Sequence, residues 1–146
     1  MEKAEKYSTI IKMAESLIDK SVDDIANMAN LSRLLHDHLH HHWIGFYRVV
    51  GDKLQLGPYN GPIACTSIAK GKGVCGRSWL HKKTYIVDDV HQFDGHIACS
   101  PLTNSEIVVP CIRNNEIYAV LDIDSTHFDM FDGDDQYYLE KIVALL

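Results

Sequence analysis

The sequence predicts a single α+β domain built on a mainly antiparallel sheet, with the N- and C-terminal helices packed on one of its faces. Three observations carry that expectation. Apolar residues recur at helical spacing through roughly the first forty positions. The chain then turns aromatic and β-branched, punctuated by Gly, Pro and Asn, and helical spacing returns at the C-terminus. At 146 residues the chain is one domain's worth, long enough to form a core without metal or disulfides.

Element by element, Tyr7, Ile10, Ile11, Ala14, Leu17 and Ile18 form a first helical stripe, with Lys3, Glu5, Lys12, Glu15 and Asp19 interspersed. Ser21 is placed to cap a second helix, with Asp23 and Asp24 near its positive end. Val22, Ile25, Ala26, Ala29, Leu34 and Leu35 would be its apolar stripe, and the two helices together take residues 2–38. Trp43 to Val50 reads as a strand, Gly51-Asp52 as a turn and Lys53 to Gly57 as the returning strand. Residues 57–76 are rich in Gly, Pro and Ser, and Gly71 to Gly76 opens a short helix through Trp79 and Leu80. Thr84 to Val87 is a short strand and Asp88 to Asn104 a long loop. The sheet with its loops thus spans 43–125, and Asp134 starts a terminal helix over 134–146 that uses Tyr138, Leu139, Ile142, Val143, Leu145 and Leu146.

The segment from Glu106 to Asp124 permits a sharper inference, because its two strand-like runs break at Arg113-Asn114-Asn115. A three-residue loop there pairs Glu106 with Asp122 and sets Asp124 two residues along on the same face. The opposite face then carries Ile107, Val109, Cys111, Ile117, Ala119, Leu121 and Ile123, all apolar. A two-residue loop would place Glu106 opposite Ile123, among core residues, which desolvation penalises. The three-residue loop is therefore expected, giving one core face and one face with three carboxylates.

Charge narrows the function. With 14 Lys and Arg against 20 Asp and Glu, the net charge is −6 with nine neutral histidines. A nucleic-acid binder needs concentrated basic residues to displace counterions, and an anionic membrane surface asks for the same. Neither partner is expected. No apolar run reaches membrane-span length and the charged N-terminus leads into no secretory core, so the expected compartment is the cytoplasm. Four cysteines there should be thiols, either buried filler or chemistry.

Three of them sit in loop-like or Gly-rich settings: Cys65, Cys75 and Cys99, the last with His91 and His96 nearby. Singly, each reads as a small buried hydrophobe; together they point to a redox set. Cys111 belongs to the core face. No Cys-x-x-Cys pair occurs, so a structural zinc site is not expected. The run His36-Asp37-His38-Leu39-His40-His41-His42 reads as a solvated loop, with adventitious metal capture at most. Glu106, Asp122 and Asp124, clustered under cover, would raise one another's pKa, hold a proton at neutral pH and bind a ligand's ammonium. Trp43 and Tyr47 face one side of their strand and could wall an apolar slot beside those acids.

The stretches Trp43-Ile44-Gly45-Phe46-Tyr47, Leu56 to Cys65, Gly71-Lys72-Gly73-Val74-Cys75-Gly76, Asp88-Asp89-Val90-His91, Gly95-His96-Ile97-Ala98-Cys99, Asn104 to Val108 and Leu121-Asp122-Ile123-Asp124-Ser125 resemble the free methionine-(R)-sulfoxide reductases, enzymes built on a lone GAF domain. The resemblance runs from about Trp43 to the C-terminus. It implies a GAF-like fold with a ligand pocket on the sheet face opposite the terminal helices. It also implies thiol-dependent reduction of free L-methionine-(R)-sulfoxide to L-methionine with no cofactor and no metal. Cys99 aligns with the catalytic nucleophile, Cys65 with the principal resolving cysteine, and Cys75 with the family's third cysteine, a resolver or relay. Glu106, Asp122 and Asp124 align with the acids that hold the substrate amine and sulfoxide, and Trp43 and Tyr47 with the pocket aromatics. The implied partners are the free sulfoxide, a thioredoxin-type reductant and a second copy of the chain docked through its terminal helices. Ser100 stands where an acid is expected after the nucleophile, and Cys111 where an aliphatic residue is expected. The competing readings are a GAF module that binds a small molecule without turnover, and a redox sensor whose Cys65–Cys99 disulfide is itself the signal.

Overall fold

Residues 2–146 are described by the computed structural model. Helices α1 (Lys3–Leu17) and α2 (Asp24–Leu39) lead into strands β1 (Trp43–Val50), β2 (Lys53–Asn60) and β3 (Ser67–Ala69). Helix α3 (Gly73–His81), strand β4 (Tyr85–Val87) and a single 3-10 turn at Val90–Gln92 precede the hairpin of β5 (Ser105–Arg113) and β6 (Glu116–Ser125). The C-terminal α4 spans Gly133–Val143. Six strands pair in the order β3-β2-β1-β6-β5-β4, antiparallel throughout. This is the expected fold class.

Alternation along the strands divides the interior into two apolar layers. Ile44, Phe46, Ile107, Val109, Leu121 and Ile123 meet Tyr7, Ile10, Leu31, Leu35, Leu139 and Ile142 of α1, α2 and α4. On the other face Trp43, Tyr47, Leu54, Val108 and Val120 meet Cys75 and Trp79 of α3. A buried polar tie joins the two ends of the chain: Tyr7 donates to Asp135 at 2.7 Å, and Lys3 reaches the same carboxylate at 2.8 Å.

Helix starts differ from expectation. Asp23 caps α2, accepting from the Ile25 amide at 2.6 Å, while Ser21 spends its hydroxyl on Asp19. The stripe of α2 is correspondingly rotated, so Val22 and Ile25 are exposed and Asn27, Met28, Leu31 and Ser32 are buried. Burying Asn27 and Ser32 is tolerable because both are hydrogen-bonded: Asn27 to the Asp19 backbone, Ser32 to Ala29 and Asn60. Asp132, not Asp134, caps α4 in a capping box with Asp135.

The β5–β6 turn is the two-residue loop that the sequence argument rejected. Asn114 and Asn115 both take positive φ, 54° and 63°, as a type I′ hairpin requires. Arg113 pairs with Glu116 and Ile112 with Ile117, but Cys111 then pairs with Ala119, leaving Tyr118 as an extra residue in β6. That bulge restores the parity the turn had broken. Glu106 consequently faces Asp124, and Val108 faces Asp122, in place of the expected Glu106–Asp122 pair. All three acids still share a face, and Ile117 moves from the expected helix side to the α3 side.

Gly45 keeps β1 and β2 in register beside a bulge. A Cβ there would collide with the Tyr59 Cβ and come within 2.8 Å of the Trp43 ring. Gly45→Ala is expected to cost about 1–3 kcal/mol by overpacking, read as a lower urea midpoint at unchanged slope. An unchanged midpoint would show that Tyr59 and Trp43 can yield.

Candidate active site

The floor of the site is the sheet face turned towards α3. Pairing of β1 with β6 puts Trp43 beside Asp124 and Gly45 beside Asp122, while β5 brings Glu106 opposite Asp124. Because Gly45 has no side chain, the Trp43 ring can lie over it beside the acids. Glu106 and Asp122 are each 6% exposed. Asp124 is half-buried as a residue, but its Oδ1 is enclosed. Asp122 Oδ1 and Asp124 Oδ1 have no hydrogen-bond partner among the described residues.

Such a cluster does not ionise like surface carboxylates. Burial first, and the neighbouring carboxylates second, push Glu106 and Asp124 well above the usual range; burial also raises Asp122. All three shifts favour the protonated form over the ionised one, and the three groups titrate as a set.

The aromatic wall does two things. Trp43 stacks between Tyr47 and Tyr59, with centroids 5.8 and 5.1 Å apart. The polar tips of the first two fix the segment before β3: Trp43 Nε1 donates to the Pro62 carbonyl at 3.1 Å and Tyr47 Oη to the Cys65 carbonyl at 2.8 Å. Burial and then Asp122 raise the Tyr47 pKa, which keeps that hydroxyl a donor.

Cys65 and Cys99 are joined by a disulfide, their Cα atoms 5.5 Å apart across 34 residues of sequence. Cys99 comes from the long loop between the 3-10 turn and β5, and Cys65 from the segment that Trp43 and Tyr47 hold. Cys75 lies in the first turn of α3 as a free, buried thiol. Gly73 starts that turn at φ +61°, with Ile97 of the Cys99 loop packed over it. Burial and then Asp122 and Glu106 push the Cys75 thiol well up. Cys111 is buried in the helix-side core as expected, its pKa pushed up to about 12 by burial.

Two histidines reach the Cys99 loop, and a third does not. His96 lines the cavity with its Nε2 3.8 Å from Glu106 Oε1. His42 Nε2 meets Ser100 Oγ at 3.1 Å, tying the residue after Cys99 to the start of β1. His91 instead pairs with Asp89 at 2.8 Å on the surface. The expected solvated histidine loop is therefore only partly solvated: α2 runs to Leu39, and His41 packs edge-on against Phe131, with burial lowering its pKa to about 4. The His42–Ser100 contact and the role of Thr103 in the lining carry no sequence pattern that would have revealed them.

The pocket bounded by Trp43, Tyr47, Cys75, His96, Cys99 and the three acids is about 40 Å³ and opens to the surface. Ligand clefts are commonly about 300 Å³ or more, so the disulfide-bonded pocket is small. Cys75 Sγ and carboxylate oxygens of Glu106 and Asp122 lie within 4.8 Å of one another, the one such cluster among the described residues.

No protein-family model matches the chain. It is 46% identical over 145 residues to GAF domain-containing protein A of Dictyostelium discoideum, covering 99% of this chain and 92% of that one. With the free methionine-R-sulfoxide reductase of Escherichia coli K12 it shares 43% identity over 147 residues, covering 100% and 89%. The X-ray structure of free methionine-R-sulfoxide reductase from Neisseria meningitidis in complex with its substrate superposes with a TM-score of 0.96 at 40% identity, covering 99% and 88%. At 43% identity across 89% of a free methionine-R-sulfoxide reductase, and with the fold of a second, the chain belongs to the free methionine-R-sulfoxide reductase family of GAF domains.

Proposed function

We propose that this protein reduces free L-methionine-(R)-sulfoxide to L-methionine with its own thiols. The observation that carries the reading is the meeting, in one small pocket, of Cys99 with three clustered carboxyl groups, two of which keep an unpartnered enclosed oxygen. Family membership supports the same substrate.

In the reduced protein Cys99 is the nucleophile. Its thiolate attacks the sulfoxide sulfur while a protonated carboxyl of the cluster gives its proton to the oxygen, a poor leaving group unless protonated. Oxygen passes to Cys99 as a sulfenic acid, and sulfide sulfur is restored in methionine. The Cys65 thiol then displaces water from that sulfenic acid, forming the Cys65–Cys99 disulfide. A thioredoxin-type dithiol reduces the disulfide by exchange, becoming a disulfide itself.

Selectivity for the free amino acid follows from the floor. An α-ammonium can take the place of a shared proton and pair with Asp122 and Asp124, whereas a chain-internal methionine offers only a neutral amide. That amide would leave buried carboxylates without a cation, a large penalty. The apolar wall that Trp43 and Tyr47 form beside the acids suits the thioether chain.

The test is NADPH consumption coupled through thioredoxin and its reductase, with the free R epimer, the S epimer and the N-acetylated R epimer as substrates. Turnover of the free R epimer alone, abolished in Cys99→Ser, is expected. A folded protein with titratable thiols and no turnover would overturn the reductase reading and leave a ligand-binding or redox-sensing domain.

A further inference from the structure

A buried acid that protonates a leaving oxygen must recover its proton every cycle, and two of the three carboxyls, Glu106 and Asp122, are 6% exposed, while Asp124 is half-buried. The side chain of Glu106 is 8% exposed. Asp122 and Asp124 each bury an oxygen completely. Around them stand Trp43 and Tyr47 of β1, whose hydroxyl and ring nitrogen are committed to backbone carbonyls. Cys75 of α3 closes another side and is itself held protonated, first by burial and then by the same acids.

One basic side chain lines the cavity among the described residues: His96. It is 15% exposed, so it touches both the cavity and the surface, and its Nε2 lies 3.8 Å from Glu106 Oε1. It sits three residues before Cys99 on the same loop. Further groups facing it are Asp122 and Asp124 of β6 across the cavity, and His91 in the 3-10 turn. Arg77 of α3 holds the preceding Asp94 carbonyl at 2.6 Å and stays outside the cavity lining. Burial, and secondarily His91, lowers the His96 pKa, so a proton taken up there is readily given away.

We propose that His96 is the proton port of the acid cluster, resting on the reductase reading above: its Nε2 receives a proton at the surface and, with one water spanning the 3.8 Å to Glu106 Oε1, passes it to that carboxylate between turnovers. The N–H bond at Nε2 breaks as the O–H bond at Glu106 forms, leaving imidazole neutral and the carboxyl recharged. The balance closes over the cycle. One proton leaves the cluster for the sulfoxide oxygen, one is released when the regenerated Cys99 thiol ionises, and His96 restores the first from the pool that receives the second. Since His96 acts through Glu106, it is a positioning residue and not the donor to substrate.

This role separates the first turnover from the later ones. A fully reduced, protonated enzyme already holds the proton that its first sulfoxide needs. His96→Gln should therefore release its first equivalent of methionine in a quenched-flow experiment at the wild-type rate. Its steady-state rate, with saturating dithiothreitol as reductant, should fall about tenfold or more with little change in KM. In wild type the steady-state rate should rise as pH is lowered from 8 to 6, and this rise should be lost in His96→Gln. Added imidazole should restore part of the steady-state rate of His96→Ala. Unchanged steady-state turnover in His96→Gln overturns the relay alone. Equal slowing of the first and later turnovers, with no imidazole rescue, overturns it in favour of a structural role. Absence of sulfoxide turnover in wild type overturns the reductase reading and the relay with it.

Discussion

Neutralising the acid floor is expected to remove activity and add stability. Asp124→Asn and Glu106→Gln should each lower turnover of the free sulfoxide by about a hundredfold or more, because each removes a proton donor or an ammonium partner inside a closed site. Both are near-isosteric, so packing is retained. Their carboxyls have native pKa values raised well above the ordinary range by burial and by one another. A native group that binds its proton more tightly than the unfolded chain contributes most below the unfolded value of about 4. That contribution is lost as pH rises towards the raised native pKa. Wild-type stability should accordingly decline from mildly acid to alkaline pH relative to either variant. Urea unfolding of wild type and variant in parallel cancels the opposite drift of His41, whose lowered pKa makes folding more favourable with rising pH up to about 6.5. The variants should be more stable than wild type by about 1 kcal/mol at pH 8, with the gap closing near pH 4. Variants that lose activity and stability together would show that the acids serve the fold.

That trade explains why the site was legible in the sequence when its hairpin was not. Acids on a strand of otherwise core residues break the local pattern, and such breaks concentrate where function overrides folding. Asp122 and Asp124 share a face by strand alternation, and Glu106 joins them because the Tyr118 bulge offsets the two-residue turn. The turn itself was misjudged because a two-residue Asn114-Asn115 turn and the Tyr118 bulge each shift the register by one, and their effects on parity cancel. Nothing in Ile117-Tyr118-Ala119 announces a bulge. The cap of α2 was missed for a related reason: Ser21 and Asp23 are both good caps, and tertiary hydrogen bonds of Asn27 decided between them. Histidine positions were least legible. His91 and His96 flank the same loop, yet only His96 turns inward, and that depends on where the loop folds over Gly73.

The two candidate resolving thiols should behave very differently. Cys65 is already bonded to Cys99 and lies on a segment that Trp43 and Tyr47 anchor, so its place opposite the proposed nucleophile does not depend on the loop. Cys75 is fully buried beside three acids that oppose its ionisation, and thiol exchange proceeds through the thiolate. In Cys65→Ser, one methionine should form per chain and turnover should then stall, with the Cys99 sulfenic acid trapped by dimedone. Thioredoxin-coupled turnover should fall about a hundredfold, since a burst followed by a stall marks a missing second step. Cys75→Ala should keep turnover within a few-fold of wild type and still form the Cys65–Cys99 disulfide. The opposite pattern, stalling in Cys75→Ala with undiminished turnover in Cys65→Ser, would require the first turn of α3 to open so that Cys75 leaves its acid neighbours during catalysis. Accessibility of Cys75 to iodoacetamide measures that opening directly: a thiol held protonated and enclosed should label only at the rate of local unfolding.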